Sequence, residues 1–181
     1  VDMVDQIDGT AHCILAYANL CMERENQVFE NEYYDYFCKE TVKCFSEPYF
    51  KDGSVLPELS ANWKDFGPWV KEVIKEKPVI NEDKLNLVHN FYFEHSREYR
   101  MWDCFDILTQ SFCAAAADKM LELAKKRKDT QFAGWLEEKI KAHQFGINKN
   151  LTFEKDGKKM YLEMRVPTKE EPDGVPYDAL G

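Results

Sequence analysis

Five side chains have the types and the helical placement that metal chemistry needs: Glu25, Glu32, His95, Glu98 and His143. Carboxylates and imidazoles projecting into a helical bundle are how di-metal sites are built. That donor set suits iron, manganese or zinc. The usual pattern is Glu-x-x-His on each of two helices, which puts Glu and His one turn apart on one face. No Glu-x-x-His occurs in the chain, but the reverse order does, as His95-Ser96-Arg97-Glu98. The competing reading is ordinary: His95 hydrogen-bonds within the core and Glu98 pairs with a neighbouring cation.

Other chemistry lacks its motifs. The chain has no Gly-rich phosphate loop and no Gly-x-Ser-x-Gly elbow. The six cysteines stand at 13, 21, 38, 44, 104 and 113, and none forms a Cys-x-x-Cys pair. That spacing gives no support to zinc or dithiol chemistry and fits free, mostly buried thiols in a reducing compartment. Cys104 and Cys113, among aromatics and alanines, read as core rather than as nucleophiles. His12 beside Asp8 reads as a surface histidine, and Phe91-Tyr92-Phe93 with Tyr99 and Trp102 as ordinary core.

Helices must carry the candidate donors. Ala11, Leu15, Ala18, Met22, Phe29 and Tyr36 form a stripe at helical spacing. They predict one helix from Ala11 to Ser46, capped by Thr10 and ended by Glu47-Pro48. Glu25 and Glu32 interrupt that stripe. Residues 48 to 81 hold four of the seven prolines and read as a long crossing, with a short helix over 68–74.

A second long helix is expected from Asn81. Leu85, Val88, Tyr92, His95, Tyr99 and Trp102 alternate steps of three and four, as a packing seam does. The register drifts at Asp103 to Asp106, which predicts a bend, and resumes through Phe112, Ala116, Met120 and Leu123. Asp129 opens the last helix, whose face is Phe132, Leu136, Ile140, His143 and Ile147, with Gly146 fraying or ending it. The basic run Lys125-Lys126-Arg127-Lys128 sits where a helix C-terminus favours cations.

The C-terminal part changes character. Residues 151 to 166 alternate on both sides of Asp156-Gly157, a type I′ hairpin signal. Met160, Leu162, Met164 and Val166 would form an apolar face that must pack on the bundle or on another chain. Pro167 to Gly181 reads as an acidic, extended tail.

One resemblance emerges here. Met120-Leu121-Glu122-Leu123-Ala124, Lys128-Asp129-Thr130-Gln131-Phe132, Trp135-Leu136-Glu137-Glu138 and His143-Gln144 carry it. Through them Gln110 to Asn148 resembles the last two helices of the ferritin-like superfamily. Gln110 and His143 fall where that family often carries metal-binding glutamates. The resemblance implies a bundle and, functionally, a metal-binding protein or oxidoreductase using iron or manganese.

Composition bounds the rest. With 181 residues, 44% apolar and 31% charged, the chain suits one folded domain with a real core. The net charge of −9 opposes binding to nucleic acid or to an anionic membrane. No stretch approaches the ~20 apolar residues of a membrane span. A cytoplasmic location is expected, with secretion left open because the chain starts at Val1 and a leader could precede it. The expected class is mostly α: up to four helices over 1–147 with a long crossover, then a β-hairpin and extended tail over 148–181. Two functions follow as expectations. The first is a non-enzymatic interaction module, a subunit using 150–181 toward a protein partner or a second copy. The second is the ferritin-like metal protein.

Overall fold

The computed structural model describes residues 7–24, 27–46, 85–88, 90–94, 100–166 and 175–177. The stretch expected to be one N-terminal helix is two: α1 (Ile7–Glu23) and α2 (Gln27–Ser46). The run Glu23-Arg24-Glu25-Asn26 offers no apolar side chain to hold a continuous helix on the core. The Arg24 N–H still reaches the Leu20 carbonyl at 2.9 Å. α2 folds back along α1. The Tyr17 ring stacks on Phe37 with centroids 4.1 Å apart, and its hydroxyl donates to the Glu30 carbonyl at 2.8 Å. Met22, in the last turn of α1, is exposed rather than inward, and the break resets the helical phase, so Tyr36 is exposed too. The buried face is Ala11, Ile14, Tyr17, Ala18 and Cys21, continued on α2 by Tyr34, Thr41 and Cys44.

The helix expected from Asn81 through the seam is overturned over 90–106. β1 (Asn90–Glu94) and β2 (Arg100–Asp106) pair antiparallel, with Tyr92 opposite Trp102. Aromatic-rich segments suit strands once a partner supplies the ladder. β1 and β2 supply it to each other, and distant strands extend the sheet: β5 (Met164–Val166) pairs with β2, and β6 (Val175–Tyr177) pairs with β5. The sheet order is β1-β2-β5-β6, so three tail residues are strand. The crossing over 48–81, its short helix, and 167–174 and 178–181 lie outside the described residues.

β2 runs straight into α3 (Ile107–Arg127), because the Asp106 carboxylate caps it and accepts the Thr109 N–H at 2.7 Å. Lys128, at φ 61°, closes α3. Asp129 then caps α4 (Thr130–Asn150), accepting the Phe132 N–H at 3.0 Å. Contrary to expectation, α4 passes through Gly146 and ends at Asn150. The hairpin forms as the sequence predicts. β3 (Thr152–Lys155) and β4 (Lys158–Tyr161) join through Asp156 at φ 52° and Gly157 at φ 71°, both positive as a type I′ turn requires. Its expected apolar face does not hold together, since β4 ends at Tyr161: Met160 is exposed, whereas Met164 is buried at the start of β5.

The helices form one bundle. α1 and α3 run the same way: His12 meets Phe112 at one end, and the Cys21 carbonyl meets Lys126 at the other. α2 and α4 run against them, shown by Glu30 on Arg127 and His143 on Gln110. Ala11 and Ala18 on α1 and Ala116 and Ala117 on α3 are fully buried, so small side chains line the two helices that meet most extensively. Ile14, Met120, Leu123 and Leu136 fill the centre. A second apolar cluster, Leu85, Leu87, Phe105 and Leu151, sits at the end where the sheet joins α3 and α4. Among the described residues, no helix is long and apolar enough to cross a membrane.

Candidate functional site

His143 is in the core, as its helical phase predicts. Its Nε2 lies 2.8 Å from the Gln110 Oε1 atom, and its ring stands edge-on to Phe45 at 5.2 Å. Gln110 is fully buried. Its amide grips the backbone of Val88 from both sides, with Nε2 donating to the Val88 carbonyl at 2.7 Å and Oε1 accepting the Val88 N–H at 2.8 Å. Those two bonds fix which end of the amide is oxygen. Oε1 is therefore an acceptor, and the proton of His143 sits on Nε2. That nitrogen offers no lone pair to a cation.

The node belongs to a larger clamp on residues 85–88. Asn150 Nδ2 donates to the Leu85 carbonyl at 3.0 Å. Gly146 lets the backbone at Leu85 and Asn86 lie directly against α4, where a Cβ would stand 2.4 Å from the Asn86 carbonyl oxygen. α3 and α4 thus bind a short piece of this same chain.

Burial pushes the His143 imidazole down from 6.5 to about 4, so it is neutral at pH 7. The depressed value fixes the sign of its effect on stability. Above pH 6.5 the contribution is fully present, and it is lost as pH falls toward and through 4, where the unfolded chain binds the proton more tightly. Going from pH 7 to pH 5 should cost about 2 kcal/mol from this residue. Urea unfolding at both pH values measures it. His143→Gln keeps a donor toward Gln110 and should flatten that dependence, and an unchanged slope would refute the assignment.

Other members of the carboxylate–histidine set are placed differently. Glu25, His95 and Glu98 lie outside the described residues. Glu32 is exposed on α2. It is thirteen residues from Phe45, whose ring packs on His143, and so about 20 Å away along the helix. Among the described residues, no group of three or more His, Cys, Asp or Glu side chains is arranged to hold a metal.

A second polar centre escaped the sequence reading. Glu30 is buried between α2 and the end of α3, with Arg127 Nη1 at 2.7 Å and Lys126 Nζ at 3.0 Å. Burial alone would raise the Glu30 carboxyl, but hydrogen bonds from Arg127 and Lys126 outweigh it and hold the group below its ordinary value. Arg127 also donates to Asn31 Oδ1 at 2.8 Å and lies 4.2 Å from the centre of the Tyr34 ring. Two cations of the run at 125–128 therefore do internal work beyond meeting the helix dipole. The one available signal was the polar break at 23–26, which puts Glu30 in the first turn of a new helix.

The buried thiols are poorly suited to nucleophilic work. The Cys113 thiol is held well above its ordinary value by its hydrogen-bonded neighbour Cys44, then by burial, then by the carboxylates of Asp106 and Asp8. Burial pushes Cys38 up to about 12. All six cysteines are free thiols.

No family model, curated protein or solved structure matches this chain. The site must therefore be judged on its own geometry. His143, Gln110, Glu30, Arg127 and the inner thiols are all engaged with the fold itself.

The outward-facing feature is the β3–β4 hairpin. Residues 153–161 are exposed on both faces, and Phe153, Met160 and Tyr161 are 38%, 45% and 63% exposed. Its root is firmly held. Leu151 is fully buried, the Leu162 N–H bonds to the Leu151 carbonyl at 2.9 Å, and Thr152 Oγ1 donates to the Asn148 carbonyl at 2.6 Å.

Proposed function

We propose that this chain is a non-enzymatic helical interaction module, an accessory subunit that meets its partner through the β3–β4 hairpin. The observation that carries this reading is the hairpin itself: anchored at a buried Leu151, yet exposed on both faces with three large apolar side chains. A lone two-stranded hairpin is marginal in water, and apolar surface grouped this way marks an interaction site. The inner polar groups support the reading too, since each is consumed by a bond that holds the bundle together.

The paired substitution Phe153→Ser, Met160→Ser tests it. Both residues are exposed, so folding stability should move by no more than about 0.5 kcal/mol. Association, measured by sedimentation of the purified chain and by affinity capture from an extract of the source cells, should be lost. A variant that keeps every association of the parent at unchanged strength would sink the proposal.

A further inference from the structure

The interaction reading leaves the partner open, and the two faces of the hairpin narrow it. Cross-strand pairing sets Phe153 opposite Met160 and Lys155 opposite Lys158. Strand alternation places these four on one face. All four are exposed. That face carries two lysines and no acid, and like charges directly opposite one another destabilise a hairpin. Neither lysine makes an ion pair among the described residues. The other face is balanced, with Glu154 opposite Lys159 and Thr152 opposite Tyr161. The first face therefore suits a surface that is acidic and partly apolar, with the two characters side by side.

The outer face of α2 has that composition. Val28, Glu32, Asp35 and Tyr36 follow one another at helical spacing with Lys39 next in line, and all are exposed, so the stripe carries two acids and one cation. Val28 is 77% and Tyr36 56% exposed, unusually open for apolar side chains in a well-formed helix. The spacings agree. Tyr36 and Glu32 are one four-residue step apart, about 6 Å along a helix. Phe153 and Lys155 are one two-residue step apart, about 6.8 Å along a strand. Seating Phe153 and Met160 on Tyr36 thus brings the lysine pair over Glu32, with Asp35 in reach.

A molecule cannot make this contact with itself. Phe45, at the far end of α2, packs on His143, and the hairpin follows the C-terminus of α4 beyond it. Glu32 lies about 20 Å from Phe45 in the opposite direction. Hairpin and acceptor are at opposite ends of the bundle. Two copies side by side and antiparallel would each offer a hairpin to the other's acceptor, and a reciprocal pair of this kind closes on itself.

We infer that the occupant of the hairpin's lysine-bearing face is a second copy of this chain, docked reciprocally on the outer face of α2. The inference rests on the interaction-module reading. Sedimentation equilibrium of the full chain at low and high salt tests it. The wild type should dimerise, more weakly at high salt. Lys155→Glu with Lys158→Glu should weaken the dimer at least about tenfold, because like charges then face one another. Glu32→Lys with Asp35→Lys should do the same. An equal mixture of the two double variants should recover the dimer, since each hairpin then meets an oppositely charged acceptor. A wild type that stays monomeric well above micromolar concentration overturns the inference, as does a mixture that fails to recover. If the wild type is monomeric but Phe153→Ser, Met160→Ser abolishes capture of a different protein, the second copy is excluded and the module reading survives. If the hairpin affects neither readout, both are excluded.

Discussion

Gly146→Ala should destabilise the protein by about 2–4 kcal/mol, although alanine is the better helix former. Position 146 lies inside α4, where replacing glycine by alanine ordinarily gains up to about 1 kcal/mol. Here the added Cβ would stand 2.4 Å from the Asn86 carbonyl oxygen, 2.6 Å from the Leu85 carbonyl oxygen and 2.8 Å from the Asn86 carbonyl carbon. All three are backbone atoms, so no side-chain rotation relieves the overlap. The segment is also held by Gln110 on Val88 and by Asn150 on Leu85, and Asn86 already sits at φ 55°. Moving it away would break those bonds and uncover Leu85 and Leu87, both buried. Gly134→Ala is the internal control. It is in the same helix, nothing lies within 4 Å of its Cβ position, and alanine there should stabilise. Opposite signs at the two glycines, read from urea midpoints, are the expected result. Equal and stabilising effects would mean that 85–88 does not rest on α4.

The same clamp explains what the sequence could and could not disclose. Local signals were legible where a residue acts on its own neighbours. Asp129 capping the Phe132 N–H and the Asp156-Gly157 turn need only a few residues to be recognised. The stretch 90–106 was misread because Tyr92 and Trp102 sit at spacings that also fit a helix. They lie opposite one another in a local β1–β2 ladder, and β2 is paired further, at Phe105 and Asp106, with Arg165 and Met164, which no local window contains. The long first helix failed for a related reason: a charged break with no proline or glycine is a weak stop signal, and the packing of Tyr17 on Phe37 joins residues twenty apart. His143 was legible as inward-facing, because helical phase fixes direction. Its partner was not, since Gln110 stands on another helix and takes its meaning from the Val88 backbone. Glu30 was hidden twice, by the false phase of one long helix and by cations that read as a solvated run.

Glu30→Ala should be the other large effect, a loss of about 2–4 kcal/mol. Breaking a buried ion pair from one side typically costs more than that range's midpoint, because the partner is left charged and unpaired. The discount comes from exposure: the Lys126 side chain is 41% exposed and can turn to water, whereas that of Arg127, at 24%, is more confined. Arg127→Ala should therefore cost more than Lys126→Ala. The double variant Glu30→Ala, Arg127→Ala should recover part of the sum, since neither charge is then stranded. Additive losses would show that the Glu30 carboxylate is not what holds the end of α3 to α2. The pH dependence separates this centre from the His143 clamp. The Glu30 carboxyl is held below its ordinary value of 4.5, so its stabilisation is present above that pH and is lost as pH falls through the lower, folded-state value. His143 acts earlier, between 6.5 and about 4. The pH dependence of the wild type's unfolding free energy should accordingly have two components. His143→Gln should remove the upper one and leave the lower, and Glu30→Ala should remove the lower and leave the upper.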